Sequence, residues 1–503
     1  MSRRRTDSYL TIRAPLTGAL FACLLLISAC AVNPVTGKQD LVLMSEAQEL
    51  ALGRQAHQQT LQEYRIYPDP ALQQYVDAVG QKLAEKSHRT DLSYTFTVLD
   101  SSEINAFALP GGFIYITRGL LAYMNSEAEL AAVLGHEIGH VTARHGVRQA
   151  SSAQAASLGA GLASIFFPQL RGAGMQQSLG MLSTAVIRGY GREHELEADR
   201  LGANYIGAAG YDPQAMMAVI RALKNHELLD QKLAALEGRE ARRYHGVFST
   251  HPDNDTRLRE IVQHARDNQT GGELQSARFF DQIDGLLVGE NPADGVVANH
   301  SFLHPELDIA LSIPPQWAVQ NQPDKLLIAP KKRDALVSVE LASLPPGNQS
   351  DAAINDYLRR RGINGLQSAR QLVSGRLVGT TAIAQVQTTA GSKLSRIAII
   401  LDGERVYLTL AAARDDQRFV DLDKVFLSIV DSFRPLSAAD RAQIRSQRIK
   451  ITRPRASISW QTLAQSSPLT PLPEARLRAL NGGTQDVAVS PGATIKLVVE
   501  QGL

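Results

Sequence analysis

Residues 131–146 read AAVLGHEIGHVTARHG, and no other stretch constrains this chain so tightly: two histidines stand four positions apart, with a glutamate directly after the first. At about 100° per residue, a helix puts His136 and His140 on one face, one turn apart. Two imidazoles so placed can share one divalent ion. With 12 histidines in 503 residues, a chance H-E-x-x-H match is expected on the order of 0.01 times in a chain this long. Glu137 projects about 100° round the helix from His136. It is too far round to chelate comfortably, but it suits a general base acting on water beside the ion.

Ser126 followed by Glu129 is a capping-box pattern, and no Gly-Pro break intervenes, so the spacing predicts one helix over residues 126–148. His145, nine positions beyond His136, then falls nearly opposite it and outside the site. Gly135 and Gly139 weaken such a helix and predict a second element packed close against it.

A catalytic metal needs a third protein ligand and keeps one position open. GREHELEADRLG, residues 191–202, offers four carboxylates on a predicted helix over 191–209. Helical geometry alone pairs Glu195 with Asp199 and Glu193 with Glu197. Spacing does not choose between them. A closed structural site usually recruits four ligands, often cysteine, and the only cysteines are Cys23 and Cys30.

HEIGH followed by GREHELEADRLG, with NAFALPGGFIYITRGLL before and FSTHPDNDTRLRE after, resembles the gluzincin family of HtpX, CAAX-endoprotease and BepA-like zinc metallopeptidases. The resemblance covers roughly residues 33–262. It implies one Zn²⁺ per chain held by His136, His140 and Glu195, with Glu137 as general base and Asp199 orienting a ligand histidine. It also brings His251, in STHP, to the metal, either as a latch on the open coordination position or as a donor to the oxyanion. One departure is Gly191, where family members often carry serine. The implied activity is zinc-dependent endopeptidase action on misfolded or unassembled envelope proteins. A competing reading is a chaperone-like or scaffold lipoprotein with a structural or latched metal site.

The rest of the chain sets the context. Arg3, Arg4, Arg5 and Arg13 precede an apolar stretch with no charge until Lys38, the pattern of an export signal over residues 1–29. Ile27-Ser28-Ala29-Cys30 resembles a lipoprotein box, which implies a membrane anchor on lipidated Cys30 and, with Ala31 next, the periplasmic side of the outer membrane. Net charge is +2, which points to no nucleic-acid partner.

The fold class expected is α+β. A mainly helical gluzincin peptidase domain with a small sheet spans 30–270, followed by an α+β domain, similar to PsbP, over 278–436. A degenerate LysM-like module over 450–503 implies weak peptidoglycan contact, although the usual glycine-aspartate-threonine opening is missing. Within the first domain, helices are expected over 45–64 and 71–86 and strands over 92–100, 105–109 and 113–117. The last of these is a candidate free edge for an extended substrate. Residues 151–188 read as a mobile or surface-lying helical lid, 271–299 as loop-rich, and the basic stretch 441–455 as a solvated linker or helix face.

Overall fold

The computed structural model describes residues 30–42, 44–152, 190–237, 239, 241, 272–322, 324–342, 350–388, 391–483 and 488–502. The export signal, the lid segment from residue 153 on, and the loop bearing His251 lie outside the described residues. The chain divides into two compact units. One comprises residues up to Val288 together with Arg448–Val499, and the other Gly289–Gln447 with the last four residues. Helices and strands are mixed in both, as the α+β expectation requires.

The first unit opens with a short antiparallel pair, β1 (Cys30–Val32) and β2 (Gln39–Leu41). Helix α1 (Glu46–Glu63) starts on a reciprocal capping box between Ser45 and Gln48. Helix α2 (Pro70–Ala84) starts on Asp69, with Pro70 at its first position. Its buried Leu72, Val76, Val79 and Leu83 recur at helical spacing and face the core.

Next come β3 (Thr95–Leu99), β4 (Ala106–Leu109) and β5 (Phe113–Thr117). They form one sheet in the order β3-β5-β4, with β5 parallel to β3 and antiparallel to β4. Gly111 and Gly112 adopt φ of +84° and +96° in the tight β4–β5 turn, a conformation that glycine reaches without a Cβ clash. Phe113–Thr117 is therefore the middle strand, and the expectation that it presents a free edge is wrong. The sheet edge on that side is β4.

After the short α3 (Arg118–Tyr123) comes α4 (Glu127–Thr142), capped by Ser126, which accepts from the Glu129 amide. Every residue of α4 is buried, so the apolar run 130–134 and the histidines alike lie inside the unit. Helices α5 (Arg192–Ala208), α6 (Ala215–Glu237) and α7 (Ser276–Ile283) follow. Helix α7 falls where a loop was expected; its Phe279, Phe280 and Ile283 are buried, a stripe too short to stand out in sequence.

The glycines of α4 do what the sequence suggested. A Cβ on Gly139 would lie 2.8 Å from the Ala198 carbonyl oxygen, and one on Gly202 2.9 Å from the His136 amide nitrogen. Helices α4 and α5 thus meet backbone to backbone, which only residues without side chains permit.

Residues Arg448–Val499 join this same unit. Ile449, Trp460, Leu477, Leu480 and Val498 belong to the hydrophobic cluster that holds Leu130, Leu134 and Ile138 of α4. Arg445–Thr452, read from sequence as a solvated stretch, is instead a strand between Ile495–Gly502 and Leu287–Val288. The buried Lys496 ammonium donates to the carbonyls of Ala122 and Met124 at 2.7 and 2.6 Å. That caps the C-terminal end of α3, where carbonyl oxygens lack helical partners.

The second unit carries a seven-stranded antiparallel sheet built from residues 317–413, against which the helix Asp416–Asp431 packs Phe419, Phe426 and Val430. Arg396 crosses the unit to a bidentate pair with Asp423 at 2.6 and 2.7 Å. Among the described residues, no helix of the chain is long and apolar enough to cross a membrane.

Candidate metal centre

Helix α4 brings His136 and His140 to one face, and α5 lays Glu195 across them. The two Nε2 atoms are 3.0 Å apart; Glu195 Oε2 lies 3.5 Å from His136 Nε2, and Glu195 Oε1 lies 3.4 Å from His140 Nε2. A tetrahedral ion with bonds of about 2.0–2.1 Å sets its ligand atoms about 3.3 Å apart. The observed triangle fits that requirement. These three are the group of side chains able to hold a metal among the described residues. Glu195 is 0% exposed, a position where a carboxylate needs a cation or hydrogen bonds to offset its lost hydration.

The two carboxylate pairs of residues 193–199 differ in burial, with Glu197 part-buried. Glu195 and Asp199 are buried, whereas Glu193 is exposed. Asp199 Oδ1 stands 2.8 Å from His136 Nδ1, close enough to orient the ring of a ligand histidine. Glu137 is buried beside the triangle. Burial, then the charges of Glu137 and Glu195, raise the Tyr190 phenol well above its ordinary pKa, so Tyr190 stays protonated near both carboxylates. Its ring stacks on His140 at 4.1 Å and 19°. No spacing or motif in the sequence marks Tyr190.

His145 sits differently from expectation. Helix α4 ends at Thr142, and Arg144 takes a left-handed φ of +55°. The chain then turns back, and His145 Nδ1 comes within 2.8 Å of His140 Nδ1. The predicted helix over 126–148 fails at this turn, and with it the placement of His145 on the far side. A non-glycine residue in that conformation costs roughly 1 kcal/mol or more. An ion pair holds it in place: Arg144 reaches the buried Glu49 at 2.7 Å, and Glu49 is also paired with Arg89 at 2.7 Å.

Burial holds the His145 imidazole below its ordinary pKa, while its hydrogen bond, seconded by Arg148, holds Glu197 down to about 2. His145 Nε2 and Arg148 Nη1 each lie 3.0 Å from Glu197 Oε2. His251 lies outside the described residues.

Residues 70–265 match the profile of Peptidase family M48. The chain carries an M48 peptidase domain. Its α4 carries the H-E-x-x-H pair and its α5 carries Glu195, the carboxylate that completes the triangle. Among its relatives, the beta-barrel assembly-enhancing protease of Yersinia pestis is 31% identical over 247 residues, 48% of each chain. That of Escherichia coli K12 is 30% identical over 229 residues, 44% of this chain and 45% of the relative. The mitochondrial metalloendopeptidase OMA1 of Schizosaccharomyces pombe is 28% identical over 233 residues, 46% of this chain and 65% of the relative. The chain thus spans about half the length of the bacterial relatives it matches. Among solved structures, cyanobacterial PsbP from Synechocystis aligns with 29% of this chain and 98% of its own, at 12% identity and a TM-score of 0.22. That score is too low to support a shared fold. The M48 family implies a divalent metal, typically zinc, and the triangle of the M48 domain suits one.

Proposed function

We propose that the chain is a zinc-dependent endopeptidase of the bacterial cell envelope that cleaves misfolded or unassembled envelope proteins. The observation that carries this reading is the convergence of His136, His140 and Glu195 at 3.0–3.5 Å in a buried site, with Glu137 adjacent. When bound there, a divalent ion supplies Lewis acidity toward a peptide carbonyl and lowers the pKa of water.

The chain's own residues do the rest. Asp199 fixes the His136 tautomer; Glu137 takes a proton from the attacking water and returns it to the leaving amine. Among the described residues β4 is the edge strand of its sheet, and an extended peptide added along it would bind by backbone pairing, a mode that tolerates many sequences. Ala108 and Leu109 of that strand line one pocket with His140 and Tyr190, so a peptide laid along β4 would run past the ligand triangle.

The names of the bacterial relatives support envelope proteins as substrates. Lipidated Cys30 would tether the enzyme to the periplasmic face of the outer membrane, and the C-terminal residues resemble a LysM module suited to weak peptidoglycan contact. His251 is assigned to the open coordination position as a latch, or to the oxyanion as a donor. His251→Ala raises basal cleavage in the first case and lowers it in the second.

The test is degradation of a permanently unfolded protein by the purified chain and by Glu137→Gln. The proposal requires Glu137→Gln to retain one zinc per chain and lose cleavage by roughly 10²–10⁴-fold. Equal cleavage by both proteins rejects it.

A further inference from the structure

Each imidazole of the triangle turns Nε2 inward, and the outward nitrogens end on different partners. His136 Nδ1 meets Asp199. His140 Nδ1 instead meets a second imidazole, that of His145, at 2.8 Å, and His145 Nε2 continues to Glu197 Oε2 at 3.0 Å.

Proton positions along this chain follow from His140. If its Nε2 lone pair is turned to a metal, its proton sits on Nδ1 and is donated to His145. His145 Nδ1 must then accept, which puts the His145 proton on Nε2, facing a carboxylate that can only accept. Donors and acceptors alternate without conflict, and no other assignment of neutral rings satisfies all three contacts.

We infer that His145, backed by Glu197, is a positioning residue that fixes the tautomer and ring plane of the metal ligand His140; this rests on the metallopeptidase reading. Both rings are clamped to match. His145 is fully buried and stacks on His194 at 4.3 Å and 20°, while His140 stacks on Tyr190. The left-handed turn at Arg144, anchored on Glu49, delivers His145 to this position, and Arg148 anchors Glu197 from the next helical turn. Helix α5 therefore serves both ligand histidines, His136 directly through Asp199 and His140 through the His145–Glu197 pair. A ligand imidazole whose second nitrogen is so held binds metal more tightly, and loss of such a partner typically weakens binding by about 10–100-fold.

Three substitutions divide the roles of the His145 ring. His145→Phe keeps its volume and stacking and removes both nitrogens. His145→Asn keeps an acceptor near the Nδ1 position, and His145→Gln keeps a donor near the Nε2 position. The measurement is Zn²⁺ affinity of the full purified chain by competition with a chromophoric chelator, alongside the melting temperature of each metal-free variant. We expect His145→Phe and His145→Gln to bind Zn²⁺ about 10–100-fold more weakly. His145→Asn should stay within about threefold of wild type, because it still accepts from His140.

Wild-type affinity in His145→Phe, or His145→Asn binding no tighter than His145→Gln, overturns the inference. Should position 145 tolerate no change, Glu197→Gln takes its place. A several-fold loss of affinity supports the role, and unchanged affinity rejects it. A wild-type chain that binds no Zn²⁺ sinks the metallopeptidase reading and this inference with it. Zinc bound by wild type, with the variants out of order, sinks the inference alone.

Discussion

Gly139→Ala sets two effects of opposite sign against each other. Within a helix, alanine is favoured over glycine by about 1 kcal/mol, so α4 on its own would gain from the change. The added Cβ, however, would sit 2.8 Å from the Ala198 carbonyl oxygen and 3.0 Å from Ala198 Cα, where ordinary contact begins at 3.4 Å. Neither neighbour is a flexible side chain, so the helices must separate by roughly the difference, about 0.6 Å, and overpacking of that kind costs about 1–3 kcal/mol. The net loss of stability is then small, roughly 0–2 kcal/mol.

Zinc affinity should fall as well, because Ala198 lies within one turn of Glu195 on the same helix and bond lengths tolerate only about 0.2 Å. We expect Gly139→Ala to bind Zn²⁺ at least about tenfold more weakly, measured by chelator competition, with the metal-free melting temperature lowered by at most a few degrees. Gly207→Ala is the control. Its Cβ meets nothing closer than Pro213 at 3.4 Å, so it should gain up to about 1 kcal/mol and leave zinc binding alone. Wild-type zinc affinity in Gly139→Ala would refute the claim that the α4–α5 backbone contact sets the ligand geometry.

Other outcomes follow from the same contacts. Glu49→Gln leaves Arg89 and Arg144 without their shared buried carboxylate and should cost about 3–5 kcal/mol in urea unfolding of the first unit. Lys496→Met strips the cation from two buried carbonyls and from Glu129, whose charge acts on it; thermal unfolding should show a loss of roughly 2 kcal/mol or more. In the second unit, Asp440 accepts from Arg434 and Ser437, and these contacts hold its pKa well below the ordinary value. A depressed carboxylate pKa stabilises the fold above the unfolded pKa of about 3.9, and that contribution fades as pH falls through the folded value. Asp440→Asn should therefore cost roughly 2 kcal/mol at pH 7 and progressively less below pH about 4, followed by urea unfolding across pH. Chelation of bound zinc should lower the melting temperature, and Zn²⁺ at 1,000 times its Kd should restore about 4 kcal/mol.

The sequence was most legible where one residue type answers to one physical need. Ser126 marked a helix start because few side chains satisfy the first amides, and it caps α4 in the structure. Gly135 and Gly139 foretold a close neighbour and met α5. The pairing of Glu195 with Asp199 was open from spacing, since Glu193 and Glu197 sit just as well on a helix. The choice depends on which face packs against α4, a tertiary fact.

His145 was misplaced because helical periodicity was carried past Thr142. What ends the helix is Arg144 in a left-handed conformation, stabilised by Glu49 from 95 positions away, and no local signal announces it. The edge of the small sheet was misassigned for a similar reason. Strand order depends on the parallel pairing of β3 with β5, which alternation of polar and apolar residues does not encode. Tyr190 owes its place to burial against His140, and a lone tyrosine beside a glycine carries no pattern.

The central claim is that His136, His140 and Glu195 together grip one ion. A zinc-edge anomalous map from crystals of the metal-loaded Glu137→Gln chain tests it most directly. A single peak is expected about 2.0–2.2 Å from both Nε2 atoms and from a Glu195 oxygen. A peak centred on His145, His194 and Glu197, or one with Glu195 turned away from it, would contradict it.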